Sequence, residues 1–107
     1  MAIRFIFHEK LYIGGSIETK KLGKIKKKLQ KAPFLTKVFL IVPASNPNDQ
    51  LDILEAGELS QPHFKGRTFL VLGIASDKGE AFGLVERMAT DCVKARGDCN
   101  LREFMAC

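Results

Sequence analysis

The chain has 107 residues, 46% of them hydrophobic and 27% charged, with a formal charge of +5. That length fits one domain and buries enough surface to fold without a metal or disulfide staple. Its apolar content excludes a globally disordered chain.

The positive charge has one source. Lys20, Lys21, Lys24, Lys26, Lys27, Lys28 and Lys31 lie in a stretch without any acid. The rest of the chain carries two more acids than bases. The three cysteines, Cys92, Cys99 and Cys107, cannot all pair within one chain, and no C-x-x-C occurs. Neither a redox dithiol nor a zinc knuckle is read from them, and a reducing compartment is expected. The opening Met1-Ala2-Ile3-Arg4-Phe5-Ile6-Phe7 is too short for a signal-peptide core. No apolar run has the length of a membrane span, so a cytoplasmic location and no membrane partner are expected.

Ile3, Phe5 and Phe7 alternate with Arg4, Ile6 and His8, which predicts a first strand. Leu11-Tyr12-Ile13 reads as a second, with His8-Glu9-Lys10 as a hairpin turn. Gly14-Gly15 ends it. Ser16 is placed to cap a helix, and Glu18 in its first turn suits the positive end of the helix dipole. A start at Thr19 would put Lys20 and Lys21 in the unfavourable first turn. Leu22, Ile25 and Leu29 form a narrow buried stripe, lysines fill most of the other positions, and the helix must end before Pro33.

Residues 37–42 and 68–74 are β-branched or aromatic and apolar on both faces, as strands in the middle of a sheet are. Between them, Leu51 and Ile53 alternate around Asp52, which favours a short strand over a helix opened by Asn46-Pro47. A helical turn is expected over residues 58–64. Asp77 and Glu80 match a capping box, and Ala81, Leu84, Val85, Met88, Ala89, Cys92 and Val93 follow at helical spacing. Arg96-Gly97 supplies the stop. A second box, Asn100 with Glu103, opens a short terminal helix.

The expected fold is α/β (or α+β): one domain over residues 1–107, with a mixed sheet of four to five strands, two main helices and a short C-terminal helix. The second strand, the lysine helix and strand 37–42 would form a right-handed crossover with parallel strands.

Three functional readings follow. The first is a small non-catalytic binding or regulatory module, homodimeric through a sheet edge or the C-terminal helix, or docking another protein. It rests on clear patterning without a catalytic constellation. The second is binding of nucleic acid or another polyanion on Lys20, Lys21, Lys24, Lys27, Lys28 and Lys31. It is not the favoured reading, because no arginine or aromatic residue interleaves with the lysines. The third is a small enzyme or ligand-binding domain at a sheet edge. Parallel strands 37–42 and 68–74 would bring Gly14, Gly15 and Ser16 together with Ser45, Asn46, Asn48 and Asp49 and with Ser76 and Asp77. A glycine turn feeding a helix can bind an anion through backbone N–H groups. No phosphate-binding glycine motif is present, and His8 and His63 share no metal-ligand spacing. No cofactor and no metal are read, and the reading leans away from an enzyme.

Overall fold

The computed structural model describes residues 4–32, 36–44, 50–60 and 66–105. In chain order these form β1 (Arg4–Ile13), α1 (Thr19–Lys31), β2 (Phe39–Pro43), β3 (Leu51–Glu55), a 3-10 turn (Ala56–Ser60), β4 (Thr68–Ala75), α2 (Lys78–Arg96) and α3 (Leu101–Phe104). The strands make one mixed sheet in the order β1-β4-β2-β3. The fold class is the one expected, with four strands among the described residues.

The hairpin expected at His8-Glu9-Lys10 does not form. β1 is one strand, parallel to β4, pairing Arg4 with Thr68, Phe7 with Val71 and Tyr12 with Gly73. Four residues of β1 then stand against the single Leu72, so the turn is a bulge. No glycine or asparagine is present there to supply the left-handed backbone of a tight hairpin. Phe7 and Tyr12 instead both pack along β4. His8 braces the bulge: its Nδ1 accepts from the Lys10 N–H at 2.9 Å, and its Nε2–H donates to the Met105 carbonyl.

The parallel crossover is also absent. β4 lies between β1 and β2, and β2 runs antiparallel to it, with Phe39 opposite Ala75 and Ile41 opposite Gly73. β4 takes the centre because its last five residues are all buried. β3 pairs antiparallel with β2, as its alternation predicted. The expected helical turn appears earlier, as the 3-10 turn. Asn46, Pro47 and residues 61–64 lie outside the described residues.

Each face of the sheet carries one main helix. Leu22, Ile25 and Leu29 of α1 pack with Phe5, Leu40, Val71 and Ile74. Leu84, Met88 and Cys92 of α2, with Leu101 and Met105 around α3, pack with Ile41, Leu72 and Ala75. Leu40, Ile41, Val71, Leu72 and Ile74 are fully buried. Each such side chain contributes about 1.5–3 kcal/mol of transfer free energy. Asp77 caps α2 by accepting from the Glu80 N–H, and Gly97 ends it at φ 80°, donating its N–H to the Val93 carbonyl. Asn100 caps α3 as expected. Among the described residues, no helix is long and apolar enough to cross a membrane.

Gln30, in the last turn of α1, clamps the outer edge of β1. Its Nε2 donates to the Phe5 carbonyl at 2.7 Å, and its Oε1 accepts from the Phe5 N–H at 3.4 Å. The carboxamide thus stands where a neighbouring strand would pair. Gln30→Leu is expected to cost about 1 kcal/mol in urea unfolding and to speed hydrogen exchange at the Phe5 amide. Unchanged exchange at Phe5 would refute the clamp.

Candidate polyanion-binding face and loop junction

An α-helix turns about 100° per residue. Lys20, Lys24, Lys27 and Lys31 therefore fall within roughly 60° of one another, on a stripe about 16 Å long. That stripe points away from Leu22, Ile25 and Leu29. Lys21 and Lys28 flank it, and all six lysines are exposed. Lys26 lies on the other flank, half-buried, with its ammonium 4.9 Å from the Phe7 ring centroid. One acid stands beside the helix: Glu18, 3.9 Å from Lys21 in an exposed pair of the kind that contributes little.

The tertiary structure adds a residue the local sequence does not offer. Gln30 holds the end of α1 to Phe5, Phe5 stacks on Phe69 at 6.0 Å, and the exposed Arg67 lies 5.2 Å from the Phe69 ring. An arginine is thus carried on an aromatic ring that stacks on the strand residue clamped by the lysine helix. It is 36 positions from Lys31 in sequence, and no local pattern links the two.

The ligand edge expected from the sequence is divided. β2 enters the segment holding Ser45, Asn46, Asn48 and Asp49 at the end of the sheet opposite Ala75, because β2 and β4 are antiparallel. Those four residues lie outside the described residues. The premise of a common carboxyl edge is therefore overturned for that segment. Gly14 and Ser16 do reach the end of β4: the Gly14 N–H donates to the Ile74 carbonyl at 2.8 Å, and the Ser16 and Ser76 hydroxyl oxygens lie side by side.

The centre of that junction is a carboxylate of the chain itself. Glu80 accepts from the Ser16 N–H at 3.1 Å and hydroxyl at 2.7 Å, and from the Ser76 N–H at 2.9 Å and hydroxyl at 3.2 Å. The bond from the Ser16 hydroxyl, then that from the Ser76 backbone, holds its carboxyl below the ordinary carboxylate value. Half of the expected capping box is present, since Asp77 accepts from the Glu80 N–H at 2.7 Å. Glu80, however, reaches past Asp77 to the β1–α1 loop. The donors an external anion would use are bonded to Glu80. This also corrects the start of α1. Ser16 is committed to Glu80, so the N-cap is Glu18, without a side-chain cap bond, and Lys20 and Lys21 occupy the first turn. Buried Gly14 leaves room for the carboxylate: a Cβ there would lie 1.9 Å from Glu80 Oε1.

The other reactive side chains serve packing. Cys92 is buried and donates to the Asp98 carbonyl; burial first, then nearby Asp98, pushes its thiol up. Burial and then the hydrogen bond to Asp91 push the Tyr12 phenol up to about 12. Both shifts run opposite to those of an activated nucleophile. Among the described residues, no group of three His, Cys, Asp or Glu side chains is placed to hold a metal ion. His63 and Cys107 lie outside them. Missed by the sequence reading is a shallow groove of about 510 Å³ beside the β1 bulge, lined by Phe7, His8, Lys10, Leu70 and Phe104 among others. Both nitrogens of His8 are already hydrogen-bonded there.

Comparison of the chain with protein-family models, curated proteins and solved structures found no match.

Two outcomes follow at the junction. Glu80→Gln should lower stability at pH 7 by about 1–3 kcal/mol. A depressed carboxyl contributes stability above its unfolded value of about 4.5 and loses it as pH falls through the folded value. The gap between variant and wild type should therefore close below pH about 4.5; a gap constant to pH about 3 would refute the charge argument. Separately, Gly14→Ala should be destabilising alone and far less so in a Glu80→Ala background, as measured by a double-mutant cycle.

Proposed function

We propose that the protein is a non-catalytic binding module that holds a nucleic-acid backbone across the lysine face of α1. The observation that carries this reading is the stripe of Lys20, Lys24, Lys27 and Lys31, which points directly away from the residues that dock the helix. A solvated helix face needs charge but no such alignment. Lysines spaced at one helical turn over about 16 Å match a row of phosphates, and each neutralised phosphate releases counterions. The commitment of Ser16, Ser76 and Glu80 to one another supports binding on the helix over binding at the loop junction.

The test is fluorescence anisotropy with a 20-base-pair DNA duplex and an RNA of equal length across a salt series. Four phosphate contacts give a slope near −3.6 in log affinity against log salt for the duplex. That is a fall of about 100-fold between roughly 50 and 200 mM. Replacing Lys20, Lys24, Lys27 and Lys31 by Gln should flatten the slope by about 3 to 4, whereas Lys10→Gln and Lys37→Gln should leave it unchanged. Absence of binding at about 50 mM salt, or an unaltered slope in the quadruple variant, would sink the reading.

A further inference from the structure

The two edges of the sheet are treated differently. Gln30 clamps the β1 edge at Phe5. At the β3 edge, the Ala44 N–H donates to the Gln50 carbonyl and the Ala56 N–H donates to the Val38 carbonyl. These two bonds set the alternation along the strand. Gln50, Asp52, Leu54 and Ala56 turn their main-chain groups toward β2, and Leu51, Ile53 and Glu55 turn theirs away. Among the described residues, those three have no main-chain partner on the outer side.

The side chains there are incompletely covered. Leu51 and Ile53 on the α2 face and Leu54 on the α1 face are all half-buried. An apolar shoulder of α2 lies on the same side of the molecule. Tyr12 of β1 reaches Asp91 and Arg87, on one flank of α2. Phe82 and Val93, 54% and 45% exposed, share a line on the other flank.

Charge selects the occupant. Between Lys37 and Lys65 the sequence holds Asp49, Asp52, Glu55 and Glu58 and no lysine or arginine. A second copy pairing through β3 would satisfy the main chain in a two-fold register centred on Ile53. That register would set Asp52 opposite Leu54 and Glu55 opposite Leu51 of the other copy, and would add a second set of acids to an edge that offers no lysine or arginine to meet them. We propose that the outer edge of β3 docks an extended, basic segment of a partner protein, which joins the sheet as a fifth strand. Its main chain pairs with Leu51, Ile53 and Glu55, its apolar side chains extend the cover over Leu51 and Ile53, and its lysines or arginines lie on the other face beside Asp52, with Glu55 adding negative charge at the end of the strand. The site is independent of the lysine face of α1, so its failure or success leaves the nucleic-acid reading untouched.

The probe is a capped seven-residue peptide alternating lysine and valine, with its glutamate–valine counterpart as control. Amide exchange read by NMR should slow at least tenfold at Leu51, Ile53 and Glu55 with the basic peptide and not with the acidic one. Glu55→Pro should abolish the effect without disturbing the β2 ladder, because the lost N–H points outward and edge proline is tolerated. The charge reversal Asp52→Lys with Glu55→Lys should switch the preference to the acidic peptide, which also tests the site if the proline variant does not fold. Equal protection by both peptides would overturn the proposal. So would slow exchange at the three amides without peptide, whether concentration-independent or accompanied by a sedimenting dimer.

Discussion

The last five residues of β4 are shut off from water. All five are buried, so main-chain groups there must be paired by protein and both faces must be covered. β1 and β2 supply the pairing, one parallel and one antiparallel. α1 supplies one cover, and α2 with α3 the other. The remaining geometry follows from that demand: β3 is left at an edge, and α1 is left with only its inner stripe engaged.

The junction at Glu80 links the two covering layers. The loop from β1 into α1 and the entry to α2 both present backbone N–H groups at one end of the sheet, which is a favourable place for negative charge. The chain fills it with its own carboxylate, 64 residues from Ser16. The arrangement that resembles an anion site therefore serves to hold α1 in place. It also explains why α1 tolerates lysines in its first turn without a capping side chain. Its attachment comes from Glu80 at one end, Gln30 at the other and three apolar residues between. Charge is consequently segregated, with cations on the outer face of α1 and acids along the β3 side.

Much of the local structure was legible because it rests on contacts within a few residues. Leu51 and Ile53 alternate, and β3 forms. Asp77 caps α2 and Gly97 ends it, because both act on backbone groups of their own helix. The expectations that failed were those requiring a distant partner. His8-Glu9-Lys10 has turn-like polarity, yet the gain from pairing on both sides of it with β4 makes it a bulge. Ser16 has the chemistry of an N-cap, yet Glu80 outcompetes the helix for its hydroxyl. Of the expected ligand edge, Ser16 and Ser76 meet at Glu80, while the segment from Ser45 depended on strand direction. Direction is invisible in a strand that is apolar on both faces.

What the sequence determined alone was most of the elements, their apolar faces and the concentration of positive charge on one helix. These follow from periodicity, caps and composition, which are local quantities. The tertiary structure decided the strand order and directions, the bulge in β1, the capture of Ser16 and Ser76 by Glu80, and the stacking of Phe5 on Phe69. Each depends on which remote surfaces bury each other, and that choice is made by the shape of the whole core rather than by any stretch of the chain.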